Sequence, residues 1–306
     1  MDRGPRNQPF WTLGLAAILF VFGGYVPTAG RESERGGWVE KSEEEPAGTK
    51  YHTFHSDVVD GKVSYLLYLP PDYEQDEDRR FPVVYWLYGL GSDQRGGAGF
   101  VRRLDRAIRD GQAPSMIAVL VNGPPSSFFC DSPHDKSPAE SVIVKDLVPH
   151  IDASYRTIAK RRSRAVEGFS MGGFGAAHLG FKHPETFGVV SILAGAMHTA
   201  EEFAEKRSGP LSNAFGGDKE YFEANSPWTL LKENAGKIRE NQTRVRLVIG
   251  KDDGLYGGNK KFRDALKERE IDTEFDAVPG VGHDYKKLYD EMGDDGFRFY
   301  RKAFGE

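Results

Sequence analysis

The chain has 306 residues, 39% of them hydrophobic and 28% charged, with a formal net charge of −5. That balance is ordinary for a globular protein and leaves room for one large α/β domain or two small ones. A mildly acidic body with scattered basic residues carries no nucleic-acid footprint, and the lone Cys130 excludes an internal disulfide.

The N-terminus is set apart from this body. Arg3 and Arg6 precede an uncharged run from Pro9 to Gly30 centred on Leu13–Phe22, and the small residues Thr28-Ala29-Gly30 close it before Arg31-Glu32. This is the pattern of a secretory signal over residues 1–30, cleaved near Gly30. The apolar run is slightly long for a signal, so an uncleaved anchor that tethers the domain to a membrane is the alternative. Both readings export the domain, to a periplasmic or secreted location. Residues 31–50, rich in Glu, Gly and Ser, read as a flexible linker, and residues 51–306 as the folded domain.

From Tyr51 onward, apolar runs alternate with helical patterns. Val63–Leu69 is strand-like and stops at Pro70-Pro71. Phe81–Tyr88 is a second strand ending in Gly89-Leu90-Gly91, and Met116–Val121 a third, closed by Asn122-Gly123-Pro124-Pro125. Continuous apolar runs of this kind suit strands buried on both faces. Ser141–Tyr155 places Val142, Val144, Leu147, Val148 and Ile151 mostly on one side, as a helix does. Further strands are expected at Gly188–Leu193, Arg244–Ile249 and Thr273–Val278, and helices at Lys260–Arg269 and Tyr285–Phe304. Residues 197–243 are too few for a domain of their own and read as short helices over the sheet edge. The alternation predicts an α/β fold, with a mostly parallel sheet, helices on both faces and no separate cap domain.

Gly168-Phe169-Ser170-Met171-Gly172 follows a segment able to end a buried strand and precedes an Ala-rich, helix-prone stretch. A serine at such a strand–turn–helix junction is a nucleophile elbow. Its base and carboxylate should follow in the order acid, then histidine, each just after a strand. After the strand ending at Ile249 come Asp252 and Asp253, and after the strand ending at Val278 come Gly282-His283. Ser170 and His283 are therefore the expected nucleophile and base, with Asp252 and Asp253 competing for the third role. The oxyanion hole needs two backbone amides: Met171, directly after the nucleophile, and Leu90, in the Gly89–Ser92 loop. Cys130 lacks the Gly-rich turn of a catalytic thiol and reads as a packed, inert side chain. His52 and His55, three apart on an extended segment, face opposite sides. His134 falls in a Pro- and Ser-rich loop near the cleft. His150, His178, His183 and His198 fit solvated or packed positions. No zinc-ligand spacing occurs, and no metal or other cofactor is expected.

The set Tyr68-Leu69-Pro70-Pro71-Asp72-Tyr73, Gly89-Leu90-Gly91, Asp146-Leu147-Val148-Pro149, Gly168–Gly173, Ser226-Pro227-Trp228, Gly250–Asp253 and Gly282-His283 resembles the esterase D-like family of α/β hydrolases. That family includes feruloyl and other carbohydrate esterases, S-formylglutathione hydrolases and mycolyltransferases of the antigen 85 complex. The resemblance spans about residues 51–304 and implies an α/β-hydrolase fold with a Ser-His-Asp triad. It also implies that the acid is Asp253, because the family's Gly-Thr-x-Asp turn carries it at the last position. Two positions depart from the family: Tyr88 stands where a histidine usually precedes the oxyanion loop, and Lys251 replaces the threonine. Neither removes a catalytic group. The expected activity is an exported serine carboxylic-ester hydrolase acting on feruloyl, acetyl or similar esters, free or linked to polysaccharide. Gly89, Phe128, Phe129 and Trp228 are candidate substrate contacts, and aromatic core packing is the alternative for the three rings. Acyl transfer to a sugar or lipid hydroxyl is the closest rival activity, and a non-catalytic glycan-binding module is the rival from another class.

Overall fold

The computed structural model describes residues 1, 37–40, 45–46, 48–133, 137–205 and 208–305. Eight strands form one sheet: β1 Lys50–Ser56, β2 Gly61–Tyr68, β3 Val83–Leu87, β4 Ile117–Val121, β5 Arg164–Phe169, β6 Val189–Leu193, β7 Arg244–Gly250 and β8 Thr273–Val278. Their spatial order is β1-β2-β4-β3-β5-β6-β7-β8. The β1–β2 and β2–β4 pairings are antiparallel, and every pairing from β4 to β8 is parallel. The parallel centre explains the continuous apolar runs, since every residue of β3, β4, β5 and β6 is buried. β8, at the edge, alternates between exposed and partly buried residues, as a strand covered on one face should.

Helices cover both faces. The seven that matter here are α1 Ala98–Arg109, α2 Met171–Lys182, α3 Pro210–Ala214, α4 Pro227–Glu240, α5 Tyr256–Glu268, α6 Tyr285–Met292 and α7 Asp295–Phe304. Helix α1 was not expected from the sequence, although it buries Phe100, Val101, Leu104 and Ala107 along one stripe. The single helix expected over Tyr285–Phe304 is two, because Gly293 at φ 54° turns the chain between them. The helical run Ala139–Ser154 widens between Val142 and Leu147, where the N–H of Val148 reaches back five residues to the carbonyl of Ile143. Pro149 lies just beyond, and a proline inside a helix can neither donate a hydrogen bond nor leave room for the carbonyl four residues back.

The expected linker is partly built into the fold. Trp38 is buried, its carbonyl accepts from the Ser64 N–H at 2.8 Å, and the Gly37 carbonyl accepts from Asn122 Nδ2 at 3.1 Å. The described residues after Met1 all fall in one compact unit, Ser33–Glu306. The expected signal segment lies outside the described residues apart from Met1. Among the described residues, no helix is long and apolar enough to cross a membrane.

Two buried charge clusters hold the helices around the site. In the first, Glu167 on β5 is fully buried and accepts from Ser191 Oγ (2.6 Å), Arg246 Nη2 (2.7 Å), Tyr300 OH (2.6 Å) and the Tyr289 hydroxyl. It thus ties β5 to β6, β7, α6 and α7.

In the second, Glu140 accepts from His178 Nε2 (2.7 Å), Lys182 Nζ (2.8 Å) and His183 Nε2 (2.7 Å). It pins helix α2 to the 139–154 segment. Burial alone would push the Glu140 carboxyl up, but the hydrogen bonds from His178, His183 and Lys182 outweigh it and hold the group well below its ordinary value. A depressed folded pKa means that stabilisation is complete above the unfolded value of about 4.5 and is lost as pH falls below it. Glu140→Gln should therefore cost roughly 3 kcal/mol at about pH 7, with the gap to wild type closing toward about pH 3 in urea titrations. A pH-independent gap would show that ionised Glu140 is not what is lost.

Candidate active site

The strand ends explain why the candidate residues meet. Parallel strands β3, β5, β7 and β8 all end at the same sheet edge, and the loops that follow them carry Leu90, Ser170, Asp253 and His283. Ser170 sits between β5 and α2 at φ 58°, ψ −113°, a backbone region that costs a non-glycine residue on the order of 1–3 kcal/mol. Its N–H donates to the Leu193 carbonyl at 2.9 Å, and its own carbonyl accepts from Phe174 (3.1 Å) and Ala196 (3.0 Å). The flanking glycines permit the turn. A Cβ at Gly168 would lie 2.1 Å from the Gly172 carbonyl oxygen, and one at Gly172 would lie 2.2 Å from that of Leu87.

His283 Nε2 lies 2.9 Å from Ser170 Oγ, and His283 Nδ1 lies 2.8 Å from Asp253 Oδ2. The other carboxylate oxygen of Asp253 accepts the Leu255 N–H at 2.8 Å, so the group is held at both ends while its side chain is 1% exposed. A carboxylate facing Nδ1 places the ring proton there and leaves Nε2 to accept from the serine hydroxyl. The His283 ring also packs on Phe169, with centroids 4.8 Å apart. Asp252, the neighbour of Asp253, is exposed.

Met171 is the first residue of α2, so its N–H has no intrahelical acceptor. Gly89 lies beside the elbow, where a Cβ would make ordinary contact with Phe169 and with Ser170 Cβ, at 3.4–3.6 Å. Leu90 follows, 47% exposed, an unusual degree for leucine, and it borders a cavity of about 230 Å³ that opens on Ser170. Phe128, Met171, Ala196, Leu211 and Leu255 make most of the remaining wall apolar.

The three candidate aromatic contacts are placed differently from one another. Phe128 lines the cavity. Phe129 is 1% exposed and turns inward against Tyr88, with centroids 5.1 Å apart; a Cβ at Gly175 would strike its ring at 2.7 Å. Trp228 packs edge-on against Phe262 at 4.9 Å. Phe129 and Trp228 therefore serve core packing, and part of the cavity wall comes instead from Ala196, His198, Ser208, Gly209, Pro210 and Leu211, where the sequence marks no site. His198, expected to be solvated or packed, lies in that wall.

Other candidates also find their places. Tyr88 is buried, and its hydroxyl donates to the Gly123 carbonyl, which ties the end of β3 to the loop after β4. The Cys130 thiol is buried, and burial pushes its pKa well up, away from the thiolate a nucleophile needs. His52 stacks on Tyr65 at 5.4 Å, and exposed His55 faces Asp57 at 3.6 Å. His134 lies outside the described residues. Among the described residues, no three His, Cys, Asp or Glu side chains converge as a metal site.

A mostly parallel sheet with a serine elbow after β5, an acid after β7 and a histidine after β8 defines an α/β hydrolase. Residues 56–306 match the family model described as Putative esterase, and the chain belongs to that family. It is 29% identical over 178 residues to an endo-1,4-beta-xylanase/feruloyl esterase of Xylanibacter ruminicola, a match that covers 55% of this chain and 24% of that protein. It is 27% identical over 283 residues to an esterase of Mycobacterium tuberculosis, covering 81% of this chain and 58% of the relative. The chain thus spans well under two thirds of the length of these curated relatives. Among solved structures it resembles a ferulic acid esterase, with a TM-score of 0.71 at 24% identity over 83% of this chain and 98% of that one. A fluorophosphonate-binding serine hydrolase of Staphylococcus aureus gives 0.69 at 18% identity, over 86% and 100% of the two chains.

Proposed function

We propose that the protein is a serine carboxylic-ester hydrolase that works through an acyl-enzyme. The observation that carries this reading is the continuous chain Asp253–His283–Ser170, with spacings of 2.8 and 2.9 Å, beside an apolar cavity. Ser170 Oγ forms a bond to the ester carbonyl carbon while its proton passes to His283 Nε2. The carbonyl oxygen becomes an oxyanion, stabilised by the Met171 and Leu90 N–H groups. Collapse breaks the bond to the alcohol oxygen, which takes the proton from His283 and leaves. Water then repeats the sequence on the acyl-serine, with His283 as base, and releases the acid. Asp253 keeps the imidazole in the required tautomer and stabilises its positive form. No step calls for a cofactor.

The acyl group belongs in the cavity of about 230 Å³. That is below the usual range of roughly 300–1,000 Å³ for small-molecule sites, so a compact acyl group fits best. With relatives named feruloyl esterase and acetyl esterase, feruloyl, acetyl or similar esters of carbohydrates are the proposed substrates, and residues 1–30 the proposed export signal. The test is hydrolysis of short-chain nitrophenyl esters, methyl ferulate and acetylated xylan by residues 31–306. Nitrophenyl turnover should fall about tenfold or more once the acyl chain outgrows the cavity. Equal turnover of acetyl and dodecanoyl esters would sink the cavity assignment. A product that appears only on an added sugar or alcohol would replace hydrolysis by acyl transfer.

A further inference from the structure

An oxyanion donor has to stand within about 0.5 Å of its productive place, yet Leu90 is exposed. At the next residue, Gly91, a Cβ would meet nothing within 4 Å. The turn is closed by the Ser92 N–H on the Gly89 carbonyl at 3.1 Å. A loop with so few contacts of its own takes its position from its two ends. The downstream end is wedged against the sheet: a Cβ at Gly97 would come within 2.7 Å of Leu120 and 2.8 Å of Trp86. The upstream end is Tyr88.

Strand β3 lies between β4 and β5 in the sheet, so Tyr88, just past its end, has the elbow on one side and residues 122–125 on the other. Its backbone faces the elbow, where a Cβ at Gly172 would lie 2.8 Å from the Tyr88 carbonyl oxygen. Its side chain reaches the other way. The hydroxyl donates to the Gly123 carbonyl and stands 3.3 Å from that of Pro124, and the ring meets Phe129 edge-on. Burial pushes the hydroxyl pKa far above its ordinary value, so it stays a donor wherever the triad can work. The acceptors are themselves held. The Pro124 carbonyl also takes the Ser127 N–H at 3.1 Å, and Asn122 Nδ2 donates to the Gly37 carbonyl and to Ser64 Oγ, both at 3.1 Å. Trp38 backs Gly123, where a Cβ would lie 3.7 Å from the Trp38 ring and 3.8 Å from the Tyr88 hydroxyl.

We infer that Tyr88 is a positioning residue for the oxyanion hole: its hydroxyl, anchored on the Gly123 carbonyl, sets where the Leu90 N–H points, and Trp38 backs that anchor. This role rests on the proposed hydrolysis at Ser170 with Leu90 as an oxyanion donor. It adds a fully buried residue that acts through its neighbour in the chain. It also gives the segment around Trp38 a part in the reaction, although that segment lies far from Ser170 in sequence. The Leu90 N–H gains its full hydrogen bond as charge develops on the carbonyl oxygen, so a misplaced loop weakens the transition state and spares the bound ester.

The test is Tyr88→Phe in the full chain, which removes the hydroxyl and keeps the ring. With nitrophenyl acetate, kcat should fall about 10–100-fold, less than the roughly 10²–10³-fold expected when a donor is deleted outright. KM should change less than about twofold, because acylation and deacylation pass through the same oxyanion. The inhibition constant of butylboronic acid, which adds to the serine oxygen as a tetrahedral anion, should rise by a similar factor. Both losses should persist at temperatures well below the melting temperature of the variant. A kcat within about twofold of wild type overturns the inference. So does a loss that disappears on cooling, which marks packing, or one carried by KM with boronate inhibition unchanged, which marks substrate binding. Trp38→Ala should show the same pattern at a smaller size, about three- to tenfold in kcat, and a wild-type kcat there overturns the part assigned to Trp38. Fluorophosphonate labelling and ester turnover by the wild type report the nucleophile separately. Their absence sinks the hydrolase reading, whereas their presence beside an unaltered Tyr88→Phe sinks the positioning role alone.

Discussion

Ser170→Ala is expected to lower kcat for ester hydrolysis by about 10⁴–10⁶-fold and to abolish fluorophosphonate labelling while leaving the fold intact. The size follows from how triads act. Their members work as a unit, so removing the nucleophile alone costs nearly as much as removing all three. What survives is whatever the oxyanion donors and substrate binding supply. Two companion variants test the acid. Asp253→Asn presents an amide to His283 Nδ1, which can impose the wrong tautomer, and should lower kcat by about 10³–10⁴-fold. Asp252→Asn, one residue away and exposed, should change kcat less than about twofold, in line with other surface changes. If Asp252→Asn proved the more damaging of the two, the hydrogen bond at 2.8 Å between Asp253 and His283 would not be the one that matters. Retained labelling in Ser170→Ala would remove the nucleophile assignment outright.

The parts of this arrangement that can be read from the sequence are those governed by local rules. Strands β3 and β4 announce themselves because a parallel strand buried on both faces can be apolar throughout, and β6 and β7 because their runs are still mostly apolar around Ser191 and Arg246. The elbow announces itself because only glycine fits at positions 168 and 172, where a Cβ would collide with backbone oxygens. Strand ends then locate the acid and the histidine. What stays hidden depends on contacts distant in sequence. An aromatic residue type does not say which way a ring turns, so Phe128 in the cavity and Phe129 in the core look alike on paper. Helix α1 is masked by the glycines that open it, Gly96, Gly97 and Gly99, although Phe100, Leu104 and Ala107 keep a helical spacing. Trp38 reads as part of a polar linker because its partners, Ser64 and the loop at Gly123, come far later in the chain. The part of the cavity wall made by Ala196, His198 and Ser208 to Leu211 carries no motif, since an apolar wall needs only shape. Glu167 and Arg246 are 79 residues apart, and nothing in either neighbourhood marks them as partners.

That last pair carries the second large expectation. Arg246→Met should destabilise the protein by about 3–5 kcal/mol, which for a domain of this size is a drop of roughly 6–20 °C in melting temperature. Arg246 is almost fully buried and Glu167 completely so, with 2.7 Å between them. Burial pushes the Arg246 pKa down, but the Glu167 charge outweighs it and raises it above the ordinary value, so the guanidinium stays charged. Removing it leaves a carboxylate in the core with only the hydroxyls of Ser191, Tyr289 and Tyr300 around it. The cost is that of the stranded charge, not of the bond alone. The double variant Glu167→Leu/Arg246→Met strands no charge and should recover part of the loss, the remainder being the three hydroxyls that lose an acceptor at about 1 kcal/mol each. A melting temperature for Arg246→Met within about 2 °C of wild type would mean that the core tolerates a lone Glu167, by protonation or by water entry.

The consequence reaches the active site through the chain itself. Glu167 stands three residues before Ser170, and Tyr289 belongs to α6, which begins two residues after His283. The same helix is fixed again where Tyr285 OH receives the Phe100 N–H at 2.9 Å. Loosening the Glu167 end of α6 therefore loosens the loop that sets the distance of 2.9 Å between His283 and Ser170. In Arg246→Met, fluorophosphonate labelling of Ser170 should slow at temperatures well below melting, and the double variant should restore part of that rate along with part of its stability.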